Sequence, residues 1–343
     1  MMIKRYIATL ILLLLPFMGH ASDSGSSMVV AAQKSAAQAG IQMLKDGGNA
    51  FDAAAATALA LGVVEPGSSG IGGGGFFLLY IAKEKRYVML DARETSPKLA
   101  GFGEVYATQS SVDGPQSAGV PGLAAGVDHL VTRYGKLNRP AVTQPAIDLA
   151  NSGFEVGARL KSMLNWRGKA LSDTARNIFS SGPTIKQEAL AETLIRFAKG
   201  GAEDFYRGET AGRLVADMKR DGGLIREADL AAYRVMERDP VTFDYKGYRV
   251  ISAPLPASGG MTLAHVFGQL KDDDLKVLKR TDRVHLLVEA MKRAYSDRNA
   301  YMGDSDFVDI PDLLNGDRLK SLRAGIRMDR ATPSSELGSS ADA

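Results

Sequence analysis

The chain has 343 residues, 45% of them hydrophobic and 24% charged, with a formal net charge of +3 at neutral pH. That is the balance of a soluble globular protein with room for one large domain or two ordinary ones, and no basic stripe marks it for nucleic acid. The absence of cysteine excludes disulfides, thiolate nucleophiles, cysteine-ligated zinc and a lipoprotein anchor, and four histidines supply metal or triad chemistry poorly.

Lys4 and Arg5 precede an apolar run at 7–18, and Gly19-His20-Ala21 offers small residues at the two positions a signal peptidase reads. This predicts a secretory signal over 1–21, cleaved after Ala21, and a periplasmic or secreted protein. The run is about 12 residues, against the roughly 20 that span a bilayer, so no stable membrane anchor is expected.

Ala32, Ala36, Ala39 and Met43 recur at helical spacing over 32–46. Gly47-Gly48 ends that helix, and Asn49 caps the next, with Asp52 three residues on. Residues 51–64 are Ala-rich and apolar on nearly every face, which predicts a helix buried on several sides. Pro66 and the glycine cluster at 67–75 stop it. Residues 76–82 read as a covered strand, Lys83-Glu84-Lys85 as a turn, and 87–90 as a returning strand followed by Asp91-Ala92-Arg93-Glu94. Helices are predicted at 123–134 and 141–151, then a set of short helices over 160–233 punctuated by Gly182-Pro183, Gly200-Gly201 and Gly222-Gly223. A hairpin at 241–245 and 248–252 turns through Lys246-Gly247, and a helix at 261–270 follows Ser258-Gly259-Gly260. A long helix at 282–301 carries Val284, Leu287, Val288, Met291, Ala294 and Tyr295 as its expected apolar stripe. The tail at 331–343 is polar and Ser-rich and is expected to be disordered. No repeat or linker divides what reads as one mainly helical domain with a few strands.

Gly70, Gly72 and Gly75 spell G-x-G-x-x-G, but the dinucleotide fingerprint needs a strand before it and a helix after, and here the order is reversed. The glycines either allow close backbone packing, the simpler reading, or line a pocket with free N–H groups. Arg93, just past the second strand, can grip a carboxylate through two parallel hydrogen bonds. From local sequence alone, an ion pair with Asp91 or Glu94 is the simpler reading. His129, His265 and His285 lie in separate predicted helices without metal-ligand spacing, and no metal or other cofactor is expected. The acidic runs at 272–274 and 304–306 lack the spacing of a calcium loop and read as a helix end and a turn. Ser258 is not part of a Gly-x-Ser-x-Gly elbow, so the residues by themselves show no complete catalytic set.

The stretch GGNAFDAA at 47–54 resembles the large subunit of the gamma-glutamyltranspeptidase (glutathione hydrolase) family. Agreement continues through 70–76 and 90–97, at DGGLI (221–225) and DLAAY (229–233), at Ser258-Gly259-Gly260, and through EAMKRAYSDRNAYMGDSD at 289–306. Pro333-Ser334-Ser335-Glu336 is similar to the stretch shortly before the family's processing site. The resemblance covers essentially everything after the signal, with its motifs in the family's order. It implies an α+β fold, the four-layer αββα sandwich of an N-terminal-nucleophile hydrolase. Residues 22–330 would be the large-subunit part, incomplete without the small subunit, and 331–343 the tail before the processing site.

The resemblance further implies a secreted precursor that cleaves itself into two subunits. The freed N-terminal Thr of the small subunit is then the nucleophile and its α-amine the base. It opens the γ-amide of glutathione and related γ-glutamyl compounds, and water or an amino acid or peptide acceptor resolves the γ-glutamyl-enzyme. The family's Asp-x-Arg-Glu arginine, which grips the substrate α-carboxylate, falls on Arg93. No catalytic residue is expected in this chain, because the nucleophilic Thr lies beyond Ala343. The expected partner is the small subunit of the same precursor, supplying strands beside 76–82. Alone, the chain is expected to show an open strand edge and apolar surface there, and to be inactive. A cephalosporin-acylase-like member of the superfamily and a non-catalytic remnant are the alternatives.

Overall fold

The computed structural model of the chain describes residues 27–337 apart from Phe102 and Ser181; the expected signal at 1–21 and the end of the tail, 338–343, lie outside the described residues. Two helices come first. α1 (Lys34–Lys45) turns Ala36, Ala39 and Met43 inward, and α2 (Ala50–Val64) is buried on most sides, as its uniform apolarity predicts. Asn49 and Asp52 form a reciprocal cap: Asn49 Oδ1 accepts from the amides of Phe51 (2.8 Å) and Asp52 (3.2 Å), and the Asn49 amide donates to Asp52 Oδ2 (2.8 Å). The fully buried Asp52 carboxylate also accepts from the amides of Lys136 (2.9 Å) and Leu137 (3.2 Å). It therefore ties the start of α2 to the turn between α3 (Leu123–Tyr134) and α4 (Arg139–Ser152).

Between α2 and α3, β1 (Gly75–Ile81) and β2 (Arg86–Ala92) form an antiparallel hairpin. After α4, the short pair β3 (Phe154–Glu155) and β4 (Thr184–Ile185) flanks α5 (Ala158–Arg167) and α6 (Asp173–Phe179). In the next stretch α7 (Glu188–Arg207) is two helical segments that meet at Gly201, whose φ of 60° and ψ of −144° are not helical, so the expected break at Gly200-Gly201 falls where the helix is interrupted. α8 (Glu209–Asp221) and α9 (Glu227–Ala232) follow, and β5 (Met236–Arg238) joins the free side of β2.

The resulting sheet, in the order β1-β2-β5, has two unlike faces. Strand alternation sends Leu79, Ile81, Val88 and Leu90 into the core shared with α1, α2, α3, α4 and α7. The other face carries Leu78, Tyr80, Tyr87 and Met236, all exposed, and Tyr80 meets Tyr87 across the hairpin with ring centroids 4.7 Å apart. Among the described residues β1 has no neighbour on its outer side. One sheet with helices behind it and an open apolar face in front corresponds to half of the expected αββα arrangement. The structure is mixed helix and strand, an α+β fold.

A second, smaller core lies beyond the hairpin of β6 (Val241–Tyr245) and β7 (Tyr248–Ser252), whose bounds match the sequence expectation. It is built by α10 (Ser258–Gln269), α11 (Arg280–Tyr301) and α12 (Gly316–Ala324) around Val266, Leu270, Leu286, Ala290 and Ala294. Here the sequence reading needs correction. Of the expected α11 stripe only Ala294 is buried, and Val284, Val288, Met291 and Tyr295 are each about half exposed. The inward face instead holds Leu286, Glu289, Ala290, Arg293 and Asp297. Those charges tolerate burial because they are paired: Glu289 with Arg293 (2.8 Å) and Lys292 (2.9 Å), and Asp297 with Arg318 (2.6 Å) and His265 (2.8 Å).

The tail also departs from expectation. Residues 331–337, expected to be disordered, lie along α11, and Ser334–Leu337 form a short 3-10 turn. Thr332 N–H donates to Glu289 Oε1 (3.1 Å), so the tail completes the partners of a carboxylate that is only 1% exposed.

Burial alone would push the Glu289 pKa up; hydrogen bonds from Thr332, Lys292 and Arg293 overturn that and hold it at about 2. A carboxylate depressed in the folded state adds stability that is complete above its unfolded pKa and is lost as pH falls through the folded one. Between about pH 4.5 and 2 this group alone is expected to remove about 3 kcal/mol of stability. Denaturant titrations on the wild-type chain and Glu289→Gln at a series of pH values check this: the wild-type curve falls in that window and the variant's falls less.

Candidate active-site cavity

The end of β2 delivers two residues with different duties. Asp91 is buried, and its Oδ1 accepts the Arg93 amide (3.0 Å) while its Oδ2 takes Arg238 Nε (2.8 Å). Arg238, from the last position of β5, turns its other two nitrogens onto both oxygens of Asp306 (2.9 and 2.6 Å). That fork holds the Asp306 carboxyl below its ordinary pKa. Asp306 sits in the turn after α11, where Asp304 Oδ1 accepts its amide (3.0 Å). Through Asp91, two segments distant in sequence, β5 and the turn after α11, are thus linked to the backbone of residue 93.

The carbonyl of Arg93 is fixed as well, by the hydroxyl of Tyr233 (2.8 Å). Tyr233 follows α9 and stacks on Tyr206, with ring centroids 5.3 Å apart and planes 7° from parallel. Burial raises its pKa, so it remains a donor throughout the physiological range. α9 is itself held by Asp229, whose carboxylate accepts the amides of Arg226 (2.9 Å) and Lys98 (3.0 Å).

With its backbone pinned on both sides, Arg93 projects an exposed side chain, its guanidinium 5.9 Å from the centroid of Phe76. Among the described residues it makes no ion pair. Asp91 is taken by Arg238, so the local pairing that is simpler by sequence does not form. The guanidinium stands at a cavity of about 420 Å³ whose walls include Thr95, Arg234, Pro256, Asp304 and Phe307. That is the size of a small-molecule site. An arginine without an ion pair among the described residues, at the wall of such a space, is chemically able to receive a carboxylate.

The glycine cluster falls to its simpler reading here. A Cβ on Gly74 would lie 2.7 Å from both the Ala92 carbonyl oxygen and the Glu94 amide, so the loop packs against the backbone flanking Arg93. The other sequence candidates have structural partners. His265 is buried between Asp297 (2.8 Å) and Gln269 (3.0 Å), and burial lowers its pKa. His129 meets Glu237 (2.9 Å), and His285 meets the Arg327 carbonyl (2.7 Å). Asp273 in the acidic run is forked by Arg323, and Ser258 Oγ accepts from Arg298 (2.9 Å).

Sequence reasoning singles out Arg93, through the resemblance, but gives no role to Asp91, Tyr233, Arg238 or Asp306. Three of these lie in the stretches 90–97, 229–233 and 289–306 that carry the resemblance, which is a signal without a mechanism. Arg238 lies outside every motif.

The gamma-glutamyltranspeptidase family model matches residues 36–343. The chain is 38% identical over 333 residues to a glutathione hydrolase proenzyme of Pseudomonas sp. (strain A14), covering 91% of this chain and 58% of that protein. It is 36% identical over 338 residues to the glutathione hydrolase proenzyme of Escherichia coli (strain K12), covering 93% and 58%. The chain therefore spans somewhat over half the length of these curated relatives. Its structure superposes on the crystal structure of Helicobacter pylori gamma-glutamyltranspeptidase with a TM-score of 0.85 at 35% identity, covering 91% of this chain and 95% of that one. By sequence along nearly its whole length, and by the fold that carries Arg93, this chain belongs to the gamma-glutamyltranspeptidase family.

Proposed function

We propose that this chain is the large-subunit portion of a secreted gamma-glutamyltranspeptidase, with residues 22–330 as its folded body. Its substrates are glutathione and other γ-glutamyl compounds, and Arg93 is the anchor for their α-carboxylate. The observation that carries this reading is the unpaired Arg93 guanidinium at the wall of a small-molecule cavity, fixed through its backbone by Asp91 and Tyr233. Two parallel N–H···O bonds to the α-carboxylate orient the γ-glutamyl group as well as bind it. The γ-amide is then presented to a nucleophile from the partner, the freed N-terminal Thr of a small subunit. Water or an amino acid or peptide acceptor takes the γ-glutamyl group in the second step.

Two further observations support the partner. The chain covers 58% of relatives that are proenzymes, but 95% of the crystallised Helicobacter pylori chain. The sheet that delivers Arg93 also has an open β1 edge and an apolar face of Leu78, Tyr80, Tyr87 and Met236, a surface suited to a second sheet. Among the described residues no helix is long and apolar enough to cross a membrane.

The test is to isolate the native protein and take intact masses of everything that accompanies it, together with γ-glutamyl hydrolysis by the isolated chain and by the assembled pair. Expected are a second chain with an N-terminal Thr, an inactive isolated chain and an active pair. Hydrolysis by the pure isolated chain would overturn the reading. The docking surface is checked with a Leu78→Glu, Tyr80→Glu double variant, which should retain its own helical circular dichroism and lose most of its co-purification with the second chain.

A further inference from the structure

α11 presents Glu289, Lys292, Arg293 and Ser296 at spacings of three, four and seven residues, which set them above one another on one stripe of the helix. All four reach the segment C-terminal to α12. Arg293 Nη2 donates to the Gly325 carbonyl (3.0 Å), Glu289 Oε1 accepts the Thr332 amide (3.1 Å), and Lys292 Nζ donates to the Thr332 carbonyl. Farther along the stripe, Ser296 Oγ donates to the Leu337 carbonyl (2.7 Å). Both backbone groups of Thr332 are therefore occupied, as they would be beside a neighbouring strand.

These contacts select a register. Pro333 has no N–H, so a slide that brought it to the place of Thr332 would leave the buried Glu289 oxygen without its backbone donor. An ion cluster of Glu289 (1% exposed) and Arg293 (5%) is also a poor way to gain stability, since apolar residues of similar size would serve as well or better. What it supplies is a unique position for the chain that lies across it.

Resting on the reading of this chain as the large-subunit portion of a self-cleaving precursor, we propose that Glu289, Lys292 and Arg293 form a register clamp that holds the tail at Thr332 and so fixes the point from which the chain continues to the bond that is cut. The step served is hydrolysis of one peptide bond: the C–N bond breaks, and water supplies a hydroxyl to the acyl side and a proton to the new amine. The clamp residues touch none of the reacting atoms. They are positioning residues.

The experiment uses the full precursor, this chain continued into its small subunit, as wild type, Lys292→Met, Lys292→Arg and Glu289→Gln. Three quantities are followed: the self-cleavage rate, the trypsin cut at the Arg330–Ala331 bond as a measure of tail release, and the thermal midpoint. Lys292→Met keeps the apolar stem and loses the contact to the tail. It is expected to cleave itself about ten-fold more slowly, the loss of one charge-assisted hydrogen bond from the productive geometry. It should also gain trypsin sensitivity at Arg330 at an almost unchanged midpoint, and Lys292→Arg, which keeps a donor, should restore most of the rate. Self-cleavage at the wild-type rate in Lys292→Met overturns the clamp, whether or not the tail is released, and leaves the reading of the chain standing. A folded wild-type precursor that never cleaves overturns the reading itself. Should Glu289→Gln fail to fold, Lys292→Met still decides.

Discussion

Replacing Arg93 with alanine in the assembled two-chain protein is expected to raise the KM for γ-glutamyl substrates by about 100-fold, with a smaller change in kcat. The magnitude follows from two parallel charge-assisted hydrogen bonds worth about 3 kcal/mol together, at about 1.4 kcal/mol per ten-fold. The direction follows from the proposed role, in which the side chain binds a part of the substrate remote from the bond that breaks and holds it in ground and transition states alike. Arg93→Lys should recover only part of the loss, since an ammonium keeps the charge but not the fork. The thermal midpoint of Arg93→Ala should stay near wild type, because the guanidinium makes no ion pair among the described residues and its position is set by backbone contacts. Steady-state kinetics on a γ-glutamyl anilide, with a melting curve on the same samples, gives both readouts. An unchanged KM removes Arg93 from the site.

The largest expected loss of stability lies far from that cavity, at Asp52. Asp52→Ala orphans the amides of Asn49, Lys136 and Leu137 together and undoes the cap of α2. At about 1–2 kcal/mol for each donor left without an acceptor, the change should destabilise the chain by about 4 kcal/mol. Asp52→Asn keeps one acceptor and the shape of the side chain, and should lose about half as much. Urea denaturation followed by circular dichroism separates the two. An Asp52→Ala midpoint close to wild type would mean that water replaces the carboxylate at all three amides.

Asp52 also marks how far the sequence is legible. Its cap, the β1–β2 hairpin and the β6–β7 hairpin all depend on residues within a few positions of one another, and local pattern finds them. Arg93 is singled out by resemblance, while local chemistry favours a pairing with Asp91 or Glu94, and among the described residues neither forms. Asp91 is taken by Arg238, which lies 147 residues away and which no local pattern brings near. The inward face of α11 is misread for a related reason. Glu289, Arg293 and Asp297 look solvent-facing until their partners are known, and Arg318 and Thr332 arrive only through tertiary structure. Composition predicts a disordered tail because its side chains are small and polar. The contacts that hold its described part, 331–337, use the backbone groups of Thr332 and Leu337, to which composition is blind.

The open face of the β1–β2 hairpin bears on how such a protein can be made at all. The hairpin is complete by Ala92, and on the proposed reading the sheet that covers Leu78 and Tyr80 leaves the ribosome much later. During that interval its free edge can pair with another unfinished copy as readily as with its proper mate. On the reading proposed here, cover and covered belong to one polypeptide. They are produced in equal number, and their meeting is a ring closure at high effective concentration instead of a search between dilute strangers. That advantage lasts only while the tether is intact. Docking must therefore precede cutting, and a precursor cleaved too early would release two chains each prone to aggregate.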